Sequence, residues 1–195
     1  MRSSKNHAFT LIELLMVIAI IGILAAILIP AVGKVKEYGK IVASKSQLSG
    51  YVNAIGLFKG EYNYYPFGPE AYADKGATIP EIGEDRFVGE LAATNLGGTP
   101  LTSAPTELGN RKLIDFYNFS GSDFLDGDPS TGKIADRFNN TNIFIAIDGD
   151  GDGLLQGMPN PNNPAGTAVQ VRTRVTAYVL NDTETSETPD YFLYE

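Results

Sequence analysis

The 195-residue chain has no cysteine, no tryptophan and a single histidine, His7. Disulfides and thiolate metal sites are excluded, so the fold must hold by packing, and oxygen is the ligand type left for any ion. His7 lies ahead of a long apolar run, which leaves Ser-His and His-zinc chemistry without an imidazole in the rest of the chain. Basic residues are also scarce: 15 Lys and Arg stand against 23 Asp and Glu, a formal net charge of -8. That balance argues against nucleic acid as a direct electrostatic partner. Paired carboxylates can run acid-base chemistry, but no spacing singles out a pair, and no enzymatic activity is expected.

What the chain does have is an apolar run from Phe9 to Ile29 carrying one charge, Glu13. At about 1.5 Å rise per residue this helix just crosses the ~30 Å hydrocarbon core of a bilayer. A carboxylate one turn inside such a helix needs explaining, because Asp at the centre of a spanning helix costs about 2.5 to 3.5 kcal/mol, and less near its end. The nearest opposite charge would be a free α-amino group on Phe9, present only if Met1 to Ala8 were removed. A neighbouring helix shifted along the axis would bring its own terminus level with Glu13, a geometry that points to a homopolymer.

A short basic leader followed by Ala-Phe-Thr-Leu-Ile-Glu and a spanning helix closely resembles the processing signal of type IV pilins and type II secretion pseudopilins. Gly22 and Pro30 fall where that family has its helix-loosening Gly and Pro. The resemblance implies a cut between Ala8 and Phe9 by prepilin peptidase, methylation of the new amine, and neutralisation of that amine by Glu13 during assembly. The family usually has Gly before the cut; this chain has Ala8. Two plainer readings fit less well. A secretory signal peptide has a shorter apolar core with a small-residue cut after it, and a simple signal anchor leaves Glu13 without a role.

After Pro30, apolar residues at Val32, Val35, Tyr38, Ile41 or Val42, Leu48, Val52, Ile55 and Phe58 recur at steps of three and four, which predicts a continuous amphipathic helix. The expected organisation is a leader at 1–8, a membrane half of the stem helix at 9–29, an amphipathic half at 30–59, and an exported globular domain at 60–195. Gly60 is expected to end the helix and Pro66 to turn the chain. Residues 67–110 read as a long surface connection with a short helix at 86–96, and 110–117 as a short strand or turn entering the sheet. Asp136-Arg137-Phe138-Asn139-Asn140 sits where related pseudopilins often show Asp-Pro-Trp-Gly-Asn, keeping the first and last residues. Thr141 to Ile147 reads as a strand, Val169 to Leu180 as one strand of period two, and Tyr191 to Tyr194 as a third. The fold class expected is α+β, a long helix packed on the apolar face of a small antiparallel sheet.

Between the main strands lies Asp148-Gly149-Asp150-Gly151-Asp152-Gly153. Carboxylates at Asp148, Asp150 and Asp152, spaced by glycines that let the loop fold back, offer oxygens on one side of a turn, as Ca²⁺ requires. The spacing matches the first half of an EF-hand loop, but the position of its closing Glu is Pro159. A plain solvated Asp-Gly turn is the alternative; closure would need Asp182, Glu184 or Asp190. Asp123, Asp126 and Asp128 form a weaker acidic cluster. Related secretion pseudopilins hold Ca²⁺ in a sheet loop, so the resemblance favours calcium. It further implies a structural subunit of a type II secretion pseudopilus, anchored once in the inner membrane with its domain in the periplasm. Its partners would be further copies of itself, prepilin peptidase, the inner-membrane assembly platform, minor pseudopilins and membrane lipid. The alternative is a surface type IV pilin for adhesion, motility or DNA uptake.

Overall fold

The computed structural model describes residues 11–68, 72, 74–104, 109–181 and 189–194, with the backbone alone described at Pro30 and Ala31. Its chain divides into two compact units, Met1–Gly39 and Lys40–Glu195, and one helix, α1 (Leu11–Tyr62), contributes to both. In the first unit every large apolar side chain from Leu11 to Ile29 is exposed. An 18-residue window of α1 reaches a mean hydropathy of 3.0, making it the one described helix long and apolar enough to cross a membrane.

In the second unit α1 is amphipathic in the ordinary sense, burying Ser44, Gln47, Leu48, Tyr51, Ala54, Ile55 and Phe58. Only part of the predicted apolar face is used. Leu48, Ile55 and Phe58 are buried, Val52 is half-buried, and Val32, Val35, Tyr38 and Val42 are exposed. Steps of three and four are satisfied by more than one stripe of a 3.6-residue helix, and the packed stripe is the one that includes Tyr51 and Ala54. The helix also outlasts Gly60. It ends at Asn63, whose left-handed φ of 66° terminates it, with the Asn63 N–H donating to Lys59 O at 2.9 Å. Asn tolerates that conformation almost as well as Gly, and Tyr62 packs its ring 4.5 Å from that of Phe58, which gives the last turn an apolar partner.

The described residues of 67–110 include the expected short helix but are otherwise more than a surface connection. They contain β1 (Ala77–Thr78), α2 (Ile79–Ile82) and α3 (Glu84–Ala92), and they supply Phe67, Ile79, Ile82, Phe87, Val88 and Leu91 to the main core. A capping box starts α2: Thr78 N–H donates to Glu81 Oε2 at 2.7 Å, and Glu81 N–H returns to Thr78 Oγ1 at 3.3 Å. Glu90 is fully buried in α3, where it is paired with Arg86 Nε at 2.9 Å and accepts the Phe67 N–H at 2.6 Å. Phe87, Val88 and Leu91 belong to the helix expected at 86–96, whereas Phe67, Ile79 and Ile82 are too widely spaced among Gly, Pro and Ala to show a period.

Segment 110–117 does not enter the sheet. Asn110 ties it into a turn, accepting the Ile114 N–H at 2.9 Å and donating to Ile114 O at 2.6 Å, while the Phe116 and Tyr117 amides both donate to Leu91 O. The segment therefore caps the carboxyl end of α3, and its aromatic rings join Tyr51 and Phe58.

The main sheet is antiparallel, in the order β1, β2 (Ile143–Ile147), β5 (Val175–Val179), β6 (Tyr191–Phe192). Ile145 pairs with Ala177 and Val179 with Tyr191. Ile143, Ile145, Ile147, Ala177 and Val179 join the core that α1, α2 and α3 share. The single strand predicted over 169–180 is instead two. β4 (Val169–Val171) pairs with β3 (Leu155–Met158) in a separate two-stranded sheet, and the chain breaks where Thr173 N–H turns back to Val171 O. The break lets Leu155 and Met158, with Val169 and Val171 beside them, cover Ala146, Tyr178 and Phe192 on the second face. The main sheet is consequently apolar on both sides, which strict alternation does not reveal.

The Asp136–Asn140 turn fastens this sheet to α1, where the Arg137 N–H donates to Ser44 Oγ at 3.1 Å. Asp136 Oδ1 accepts the Phe138 and Asn140 amides at 2.7 and 2.8 Å, and Oδ2 accepts the Tyr191 hydroxyl at 2.5 Å. Burial first, and then the Asp136 carboxylate, raises the Tyr191 hydroxyl far above its usual range. Asn139 holds φ 62° at the place of the related pattern's Gly, and exchanges hydrogen bonds with Asp126 through its side chain at 2.7 and 3.1 Å. Asn139→Ala should lose both bonds and bear the left-handed strain, lowering stability by about 1 to 2 kcal/mol. Asn139→Gly should cost less; the comparison is made by thermal unfolding of the two variants in detergent.

Candidate functional site

The acidic loop begins at the residue after β2. Asp148 N–H still donates to Arg174 O at 2.8 Å, extending the β2–β5 pairing by one bond, so the first carboxylate of the loop is fixed by the sheet. Asp148 is only 3% exposed, whereas Asp150 and Asp152 face solvent. Each aspartate then turns the chain with its own side chain. Asp148 Oδ1 and Oδ2 accept the Gly151 and Gly153 amides at 2.7 and 3.0 Å. Asp150 accepts the Asp152 amide at 3.1 Å, and Asp152 that of Leu154 at 2.7 Å. Gly151 and Gly153 both take φ 81°, the left-handed conformation that lets so short a loop fold back.

One oxygen from each of Asp148, Asp150 and Asp152 lies within 4.8 Å of the others. Oxygens sharing one Ca²⁺ at about 2.3 to 2.6 Å cannot be more than about 5 Å apart, so the separation fits a single ion. Each ionised carboxylate offers about four acceptor positions; Asp148 commits two to amides and retains two. The residues present therefore fit a hard divalent cation, and this is the group of acidic residues among those described that can hold one. Asp190 is not brought to it; its carboxylate accepts the Asn181 N–H instead. Asp182 and Glu184 lie outside the described residues. Asp123, Asp126 and Asp128 do not converge: they bind Ser120 and Arg137, Asn139, and Ser130 respectively.

The role of Gly149 is visible only in three dimensions. A Cβ there would come within 2.6 Å of Tyr72 Cβ and 2.9 Å of Tyr72 O, and Tyr72 in turn donates its hydroxyl to Tyr65 O at 2.6 Å. The loop thus rests directly on backbone near residue 72. Tyr65 completes this side; burial raises its hydroxyl, with Arg174 opposing and Asp148 adding to the shift.

The predicted assembly residues lie on α1. Glu13 is the single charge between Leu11 and Ile29. A Cβ at Gly22 would meet nothing within 4 Å, and the helix continues through Pro30 as one element. Ala8 and Phe9 lie outside the described residues.

Residues 3–29 match the family described as the prokaryotic N-terminal methylation motif. A protein named type II secretion system core protein G from Escherichia coli K12 is 33% identical over 119 residues, covering 57% of this chain and 81% of that one. The chain belongs to the type IV pilin and type II secretion pseudopilin family. Another core protein G, from Aeromonas hydrophila, is 28% identical over 145 residues, covering 71% of this chain and 96% of that protein. The fimbrial protein EcpC of Eikenella corrodens is 50% identical over 76 residues, 39% of this chain and 41% of its own. No solved structure matches the chain.

Gly149→Ala should press Tyr72 backbone and the acidic loop apart and lower stability by about 1 to 3 kcal/mol, the usual cost of overpacking. Gly151→Ala meets no neighbour but bears positive φ, and should leave the Tyr72 side unchanged. Unfolding midpoints of both variants, together with the Tyr72 NMR signals, distinguish the two effects.

Proposed function

We propose that this chain is a structural subunit of a type II secretion pseudopilus, polymerised through α1. The observation that carries this reading is the extent of the relationship: the core protein G relatives from Aeromonas hydrophila and Pseudomonas aeruginosa are spanned over 96% and 91% of their length. The pilin relatives, EcpC and PilA of Myxococcus xanthus, are spanned over only 41% and 46%. A filament subunit also accounts for a helix whose first unit exposes every large apolar residue it carries. Such a surface requires lipid before assembly and other helices afterwards.

In this reading prepilin peptidase cuts between Ala8 and Phe9, and the new amine is methylated. Phe9 to Ile29 holds the subunit in the inner membrane, with the domain from residue 60 onward in the periplasm. Glu13 neutralises the amine of a neighbouring copy, and a charge pair closed between copies within lipid favours the assembled state. Gly22 lets an adjacent helix approach closely, and Pro30 removes one backbone hydrogen bond at the end of the span. The assembly platform and minor pseudopilins would receive the processed subunit. Glu13→Ala should leave membrane insertion and the cut intact while abolishing filaments. N-terminal peptide mass spectrometry should find methylated Phe9 in both chains, with sheared or pelleted filament only from the wild type; normal filaments from the variant would sink the amine-pairing mechanism. Wild-type filament recovered from the cell surface rather than from membranes would favour the surface-pilus alternative.

The ion we assign to Asp148, Asp150 and Asp152 is Ca²⁺, which would cross-brace the loop between β2 and β3. A ligand bound by the folded state alone, at about 100 times its dissociation constant, stabilises by about 2.7 kcal/mol. For a chain of this size that corresponds to a rise of about 5 to 10 °C in unfolding temperature. Asp148→Ala with Asp150→Ala should abolish the rise, and Mg²⁺, which demands tighter octahedral geometry, should give a smaller one. An equal shift in wild type and variant would place any ion elsewhere.

A further inference from the structure

Between the end of the apolar run at Ile29 and the first residue of the second unit, Lys40, α1 carries two lysines, Lys34 and Lys36, among Val32, Val35 and Tyr38. Residues 32–39 are all exposed. Among the described residues neither lysine has an ion pair or a ring to lie on, and Tyr38 has no ring partner. Lys40 differs, because its ammonium lies 5.2 Å from the centre of the Phe138 ring. The height of the two lysines follows from helix geometry. At about 1.5 Å per residue, Lys34 and Lys36 stand about 7 and 10 Å beyond Ile29, and the headgroup layer of a bilayer is about 5 to 8 Å deep on each side. Helical side chains tilt towards the amino-terminal end, here towards the span, so a four-carbon stem carries each ammonium back to the phosphates. Glu37 stands about 12 Å out, and its shorter stem leaves the carboxylate beyond that layer.

We propose that Lys34 and Lys36 bind the phosphates of anionic phospholipid in the leaflet next to the globular domain. The proposal rests on the reading of Phe9 to Ile29 as a membrane span. Three observations select lipid as the occupant. The helix runs through Pro30 as one element, so the contact continues the membrane interface and the lysines are held at a fixed height above the span. That height places the two ammonium groups, and not the Glu37 carboxylate, level with the phosphates. Tyr38 supplies the amphipathic ring that is enriched at the same boundary, with Val32 and Val35 exposed beside it. Lysines on the exported side of a span also work against its orientation, and a pair with no partner on its own chain returns no stability for that cost. Bound to anionic lipid, they fix the depth of the free subunit, and its entry into a filament releases those lipids.

The test uses the full chain, recovered from its native membrane and returned to phosphatidylcholine vesicles at a dilution that keeps subunits apart. The chain has no cysteine of its own, so Gly33→Cys gives a single attachment point for a fluorescent dye, and a Cβ there meets nothing within 4 Å. A small fraction of phosphatidylglycerol or of phosphatidylcholine, each spin-labelled near the top of one acyl chain, then quenches the dye according to how often it sits beside α1. Each lysine near an anionic lipid is worth about fivefold in association. Phosphatidylglycerol should therefore be preferred at least about fivefold with Lys34 and Lys36 in place. Lys34→Gln with Lys36→Gln should bring the two lipids level, and Lys34→Arg with Lys36→Arg should keep the preference. Equal quenching by the two lipids, or a preference that survives the double glutamine change, overturns the headgroup contact while leaving the span standing. Filaments lost from the double glutamine chain while its lipid preference survives would assign the lysines to a neighbouring copy instead. A dye that neither lipid quenches overturns both the contact and the span.

Discussion

One continuous helix has to satisfy two environments, and the rest of the molecule follows from how it divides them. From Leu11 to Ile29 the side chains are apolar all round except for Glu13, and every large apolar one is exposed. Beyond Lys40 a single stripe, Leu48, Tyr51, Ala54, Ile55 and Phe58, is buried, and the sheet and the two short helices assemble on it. Tyr51 shows the dependence most directly. Its ring lies 5.1 Å from Phe87 of α3 and 4.9 Å from Tyr117 of the segment that caps α3. Edge-on aromatic packing of this kind contributes about 0.5 to 1.5 kcal/mol per pair beyond the area buried. The apolar half therefore packs on no part of its own unit, and the domain is built on about four turns of the helix, Ser44 to Phe58.

The acidic loop inherits its geometry from the sheet rather than from its own sequence. Asp148 is held by the last bond of the β2–β5 pairing, and its two oxygens pull the Gly151 and Gly153 amides inward. The other two carboxylates then converge because they sit at alternate positions of a loop already bent. Gly149 allows the bend to rest on Tyr72. An ion here would brace the loop that joins β2 to β3.

Several parts of this were legible in the sequence because they depend on local chemistry. The apolar run, its lone Glu13, the α+β class, α3 and the positions of β2, β5 and β6 all follow from hydrophobic period and residue type. So does the convergence of Asp148, Asp150 and Asp152, since alternating Asp and Gly has few compact solutions. What was not legible depended on distant partners. Phe67, Ile79 and Ile82 look like loop residues until the core that includes Tyr51 of α1 gives them a surface. The period of two across Val169 to Val179 is real, yet Thr173 divides it between two sheets because the second face of the main sheet also needs cover. Gly60 looks like a helix end, but Tyr62 finds Phe58 and the helix continues to Asn63. Closing ligands for the acidic loop belong to the same class, since only a folded chain can bring Asp190 near or, as here, direct it to Asn181.

The sheet itself explains why polymerisation would fall to helices and side chains. Long unpaired edges invite strand addition, and folded proteins avoid this by keeping edge strands short. Here both edges are two residues long, Ala77–Thr78 and Tyr191–Phe192. Neither presents enough backbone to template another strand, and Thr78 spends its own amide on Glu81 in the cap of α2. Edges this short favour association through the α1 surface and side chains over strand addition to the main sheet. The amine and carboxylate of neighbouring α1 helices would give that association a direction, because each pair joins the amino-terminal end of one subunit to the first turn of the span of the next.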